Sequence, residues 1–386
     1  MSTSISSRSE RNSGIELLKI IAILLIVLNH VIQSLTEVNA YIPASTDYVI
    51  NIWDTTTNFV NLVLAVLRSS GCVGNDIFVA CSVWFLIGRK KADKKKVSFL
   101  ICNVWVVSVI IFAVTYLLGC DLDRDSTLMQ FFPTSNALNW FITCYMLFYL
   151  LHPLLNRLID SMNQRTLLLT SAFLVFLYSI CNYFRPWFFE GALFYTSELV
   201  VWIMIYFVIA YIKLYVTEKS LSTRANVIGL LIGIFGQAFM IIGIDVLSLK
   251  LDFLQNKLQY FNNIDSPFII LLAICALNLA RKLTFKSRFV NYVSGLSLLI
   301  YIIHENAILR TMYRPLIFVY IYEHFGYSHI LLWVAAVTLA IFIAAALVSA
   351  LYSQTIERLV RPVSNKLYGL VRKLYLKIET GLLKIH

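Results

Sequence analysis

Three ionisable side chains stand inside the first apolar run of this 386-residue chain, Ile15 to Leu35: Glu16, Lys19 and His30. At 100° per residue, the eleven steps from Lys19 to His30 close three turns to within about 20°, and the fourteen from Glu16 close four to within about 40°. All three therefore share one stripe of a helix, with Lys19 and His30 roughly 16 Å apart along its axis. An ammonium and an imidazole on one face of an apolar helix are costly in lipid, which makes such residues functional candidates by default. An imidazole, with an unperturbed pKa of ~6.5, suits proton transfer near neutral pH. The competing reading is a histidine satisfied by a polar group of a neighbouring helix.

A second stretch, NYVSGLSLLIYIIHENAILR, repeats the pattern. Ser294, Ser297, Tyr301 and His304 follow helical spacing, so a polar face ends in another imidazole, with Glu305 and Asn306 just beyond. Counted from the basic end of its segment, His304 lies roughly 22 Å deep, a depth similar to that of His30. Asp76, in CVGNDIFVACSVWFLIG, and Glu198 fall on the same side. These groups are expected to line one cavity; the alternative is a set of unrelated interhelical hydrogen bonds. A further segment, ALNWFITCYMLFYLLHPLLN, puts Tyr145, Tyr149, His152 and Asn156 on one face, and Pro153 falls where a helix break is tolerable.

The elements that must position these groups follow from composition. Hydrophobic residues make up 59% of the chain and charged ones 14%, with a mean hydropathy of +0.76; a soluble domain carries about 25% charged residues. Runs of 18 or more apolar residues define an all-α, polytopic transmembrane helix bundle, and the short alternating strands of an outer-membrane barrel are missing. Ten spans are expected, near 15–35, 72–88, 98–118, 137–155, 167–184, 195–212, 226–246, 267–280, 289–309 and 329–352. No small-residue cleavage site follows the polar opening, so the first span reads as a retained anchor. With the N-terminus and C-terminus both cytoplasmic, 24 of the 32 Lys and Arg residues fall inside, seven fall outside and Lys19 lies within the first span. The net charge of +11 thus records positive-inside topology and not a nucleic-acid partner.

The connecting segments are less informative. The seven cysteines show no CxxC spacing and read as apolar fillers, neither metal ligands nor a disulfide framework; only a Cys72–Cys120 bridge is compatible with the topology. The outer segment 36–71, with Asp47 and Asp54, contains NFVNLVLAVL, which is too short to cross and is expected as an interfacial or re-entrant helix. The loop CDLDRDSTLMQFFPTSN is acidic and expected to be solvated. The chain divides into a polar N-terminus (1–14), a transmembrane domain (15–352) and a basic amphipathic tail (353–386) suited to the anionic lipid of the inner leaflet.

At these residues the chain resembles the acyltransferase-3 family, bacterial integral-membrane enzymes that O-acylate surface glycans. IELLKIIAILLIVLNHV is similar to the family's first helix, in which a basic residue precedes a histidine, here Lys19 and His30. GNDIFVACSVWFLIG resembles the family's G-V-D-L-F-F-x-x-S-G-Y pattern at Gly74, Asp76, Phe78 and Ser82, with Val83 where glycine is usual. LNWFITCYMLFYLLHPLL matches at Trp140, Phe141, Tyr149 and Pro153, and SGLSLLIYIIHEN at Ser297, Tyr301 and His304. The paired arginines that some members carry after the second span are replaced by lysines in KKKVSFLICN.

The resemblance implies acetyl-CoA or another short acyl-CoA as cytosolic donor, a glycan or lipid-linked saccharide as acceptor, no metal, and a location in the bacterial plasma membrane. Lys19, held by Glu16, and the basic 89–97 segment suit the nucleotide phosphates, with Ser82 on the donor side. His30 is the expected general base, and His304 or Asp76 orients it or the sugar. Trp140, Ser297, Tyr301 and Glu305 are the expected acceptor-binding residues. Direct transfer and an acyl-histidine intermediate are both compatible with the sequence. The alternative class is a transporter or flippase of a lipid-linked saccharide, which predicts inverted repeats with broken helices; the sequence has no such internal symmetry.

Overall fold

The computed structural model describes residues 12–38, 41, 50–53, 56, 58–135, 139–185, 197–217, 222–326 and 328–382, the side chains of 374–382 excepted. Asp47, Asp54 and most of the polar N-terminus fall outside them. Every regular element among the described residues is a helix.

The first helix, α1 (Ser13–Glu37), starts where the side-chain oxygen of Asn12 accepts from the backbone N–H groups of Gly14 and Ile15 at 2.8 and 3.3 Å, satisfying donors that a helix start leaves free. Next, α2 (Phe59–Leu67) and α3 (Ser70–Leu86) meet at Arg68 and Ser69, so the segment expected as an interfacial or re-entrant helix is joined end to end with the following helix. Then follow α4 (Lys94–Leu117), α5 (Arg124–Phe131), α6 (Trp140–Asp160) and α7 (Gln164–Val175), the last prolonged by a π turn to Cys181. The second half holds α8 (Glu198–Tyr215), α9 (Thr223–Ser248), α10 (Pro267–Arg281), α11 (Arg288–Gly295), α12 (Ser297–His304), α13 (Arg314–Phe325), α14 (Ile330–Gln354) and α15 (Ile356–Leu382).

Among the described residues, eight helical stretches are long and apolar enough to cross a bilayer, where ten spans are expected. The expected eighth span is α10, of only 15 residues, and the expected ninth is interrupted at Leu296 into α11 and α12, of eight residues each. Such breaks are tolerated at membrane depth where the backbone is buried in protein. Helix α6 runs straight through Pro153 to Asp160, so no break occurs there.

Helix α1 is the centre of the bundle and packs on α3, α10, α11, α12, α13 and α14. The contact with α3 is the most extensive of these, and close. A Cβ placed on Gly74 would sit 2.4 Å from the Ala22 carbonyl oxygen, and one on Gly71 would sit 2.5 Å from Cγ of Asn29. Small residues admit such backbone contact where lipid supplies no hydrophobic drive between helices.

The loop expected to be solvated is only partly so. Its start is exposed, with Asp123 capping α5, but Gln130 at the other end is buried and accepts from Asn306 Nδ2 at 2.7 Å. The basic tail forms α15, which lies along α4; Ser98 Oγ donates to the Ser364 carbonyl at 3.2 Å and Arg361 covers the Phe99 ring at 4.9 Å. All seven cysteines are free, and Cys72 and Cys120 contact Asn262 and Tyr313 and not each other.

Candidate active site

The two imidazoles meet. His30 comes from α1 and His304 from the last residue of α12, with ring centroids 5.3 Å apart, and Glu305 follows immediately. His304 Nδ1 lies 2.8 Å from the Ile300 carbonyl oxygen. A carbonyl only accepts, so the proton sits on Nδ1 and His304 Nε2 is left as an acceptor. That Nε2 is 3.1 Å from His30 Nδ1, which is also 2.9 Å from Glu305 Oε2. His30 Nδ1 therefore carries the proton and donates toward both acceptors. The remaining ring nitrogen, His30 Nε2, is an unprotonated lone pair with no hydrogen bond among the described residues, and His30 lines a cavity. This chain of acceptors fixes a tautomer suited to a general base.

Two arginines hold the pair in place. Arg310 Nη1 donates to Glu305 Oε1 at 2.7 Å, and Arg314 Nη2 to Glu305 Oε2 at 3.2 Å. Arg314 also donates to the carbonyls of His30, at 3.2 Å, and His304, so one guanidinium ties α1 to the end of α12. Arg310 lies within a π turn, Leu309–Tyr313, and Arg314 follows it; such a local widening is frequent at functional sites. In the sequence, Arg310 and Arg314 fall just beyond the expected ninth span, 289–309. Their spacing of four residues, close after His304-Glu305, was the signal available. The donor atoms of His30, His304 and Glu305 lie within 4.8 Å of one another, a spacing that can hold a divalent ion. Glu305, however, is fully buried and already engaged by two guanidinium groups. Adding a dication to those charges is electrostatically unfavourable, and the hydrogen-bonded histidine pair suits the site better.

The expected single groove is divided in two. Beside His30 lies a cavity of 230 Å3 lined by Asn29, Gln33, Arg68, Trp140, Tyr301 and Arg310. Toward the other end of α1, a cavity of 490 Å3 is lined by Glu16, Lys19, Ser82, Arg89, Lys96 and Ser297. Lys19 Nζ is 3.5 Å from Glu16 Oε2, which in turn accepts from Ser294 Oγ. Aromatic rings stand between the two cavities. Phe141 is 4.7 Å from Tyr301, 5.7 Å from Phe78 and 6.4 Å from Tyr145; Phe141 and Tyr301 face the smaller cavity, Phe78 and Tyr145 the larger. Large side chains at helical spacing fill the middle of the bundle, and helix periodicity cannot distinguish such a partition from an open groove.

Of the residues singled out in the sequence, His30, His304 and Glu305 come together, with Trp140 and Tyr301 on the same cavity. Lys19, Glu16, Ser82 and Ser297 gather in the other. Asp76 joins neither lining: it is fully buried, both its carboxylate oxygens lack a partner among the described residues, and the carboxylate beside His30 is Glu305. Glu198 borders a separate cavity with Arg185 and Asp265.

A model of the acyltransferase-3 family, described as an acyltransferase domain, matches residues 12–351. The chain belongs to this family, and it is an acyltransferase. No curated protein matches it, and no solved structure does.

Proposed function

We propose that this multi-pass membrane acyltransferase moves a short acyl group, acetyl foremost, from acyl-CoA to a hydroxyl of a cell-surface or lipid-linked saccharide, with His30 as general base. The carrying observation is the bare Nε2 of His30 on a cavity wall while its Nδ1 is held at 2.9 Å by Glu305. The donor enters from the cytosolic end of a plasma membrane. Its phosphates rest among Lys19, Arg89 and Lys96, all on the larger cavity, and the pantetheine arm runs toward the aromatic partition. The acceptor occupies the smaller cavity. Its hydroxyl gives the proton to His30 Nε2 as the oxygen attacks the thioester carbonyl. The C–S bond breaks, and the departing thiolate takes the proton back from the imidazolium. Glu305 stabilises that imidazolium, and His304 and Arg314 keep the ring aligned.

Purified protein given [14C]acetyl-CoA and an extracted glycan tests this reading. Label should enter the glycan as alkali-labile ester and vanish with His30→Ala, while the variant remains folded and in the membrane. Wild-type labelling by His30→Ala would remove His30 from the chemistry.

A further inference from the structure

Resting on that reading, we infer that the acceptor is an acidic saccharide whose oxyanion pairs with Arg68. The residue stands at the junction of α2 and α3 and lines the same 230 Å3 cavity as His30. Among the described residues its contacts are neutral: Nη1 donates to Gln259 Oε1 at 3.2 Å, and the guanidinium covers the Trp53 ring at 3.9 Å. Its Nε is buried with no partner among the described residues. No carboxylate lines the cavity among the described residues, and the other arginine on its wall, Arg310, is committed to Glu305. A half-buried guanidinium with no counter-charge among the described residues is unfavourable, and a bound anion relieves it.

The rest of the wall narrows the ligand class. Asn262 Oδ1 is a second buried atom without a partner among the described residues, and as an acceptor it fits a hydroxyl donor. Trp140 offers an indole for the apolar face of a sugar ring. Oxyanion, hydroxyl and ring face together describe a uronic acid or a sugar carrying a phosphodiester. Arginine suits either group, because its planar fork matches carboxylate and phosphate oxygens.

The test uses membranes containing wild-type enzyme, Arg68→Gln, Arg68→Lys or His30→Ala, given [14C]acetyl-CoA and their native acceptor. The expected product is retained on an anion-exchange column and depends on His30. Labelling should fall at least tenfold in Arg68→Gln, recover to within a few-fold in Arg68→Lys, and decline more steeply with added NaCl in wild type than in Arg68→Gln. Cleavage of the labelled product by aqueous hydrofluoric acid identifies a phosphodiester; loss of column retention after carbodiimide activation and borohydride reduction identifies a uronate. A neutral product, equal labelling by Arg68→Gln, or an Arg68→Lys variant as inactive as Arg68→Gln would overturn the inference and leave the acyltransferase reading standing. Absence of any His30-dependent product from wild type would overturn both.

Discussion

The chemistry of the site rests on one tautomer. The Ile300 carbonyl places the His304 proton on Nδ1, and His304 with Glu305 places the His30 proton on its own Nδ1, which bares His30 Nε2. General-base catalysis contributes roughly 10²–10⁴-fold, so His30→Ala should lower acyl transfer by about that factor in a steady-state assay. Glu305→Gln removes the counter-charge of buried Arg314 and half-buried Arg310 as well as the imidazolium's partner. Breaking a buried pair on one side costs about 3–5 kcal/mol, so this variant should melt earlier in detergent as well as transfer more slowly. A variant that lost activity with unchanged melting would show that the arginines find another partner. The histidines and Glu305 were legible because helical spacing aligns polar residues on one face of an apolar helix. Arg310 and Arg314 were not: charge placed after a span looks like topology, and a π turn does not announce itself in residue types.

At the scale of elements, α1 works because α3 lies against it. Gly74→Val would drive a side chain into the Ala22 carbonyl, and overpacking of this kind costs about 1–3 kcal/mol; the check is a lower melting temperature with His30-dependent transfer reduced in parallel. Phe141 belongs to the aromatic partition between the cavities. Phe141→Ala should therefore raise the ratio of acyl-CoA hydrolysis to sugar acylation, because water reaches the thioester; an unchanged ratio would mean that the rings do not separate the two spaces. Sequence patterning located most of the long helices, since apolar length alone defines them. It missed the break at Leu296 and the inward end of the α4–α6 loop, where single residues such as Gln130 are buried by tertiary contacts that local periodicity does not encode.

For the whole molecule, α1 carries cationic groups to one cavity and an imidazole to another, and the fold keeps them on opposite sides of an aromatic layer. From the distribution of Lys and Arg, the Lys19 end is expected in the cytosol. Single cysteines introduced at Lys95 and Asp123 in a cysteine-free background should then react with a membrane-impermeant maleimide only from inside and only from outside, respectively. The most direct measurement of the account is made on sealed vesicles with acetyl-CoA supplied on the Lys19 side and the saccharide confined to the other. Acetyl ester should accumulate on the confined saccharide with wild-type protein and not with His30→Ala. Acylation seen only when donor and acceptor share one side, or seen equally with His30→Ala, would contradict it.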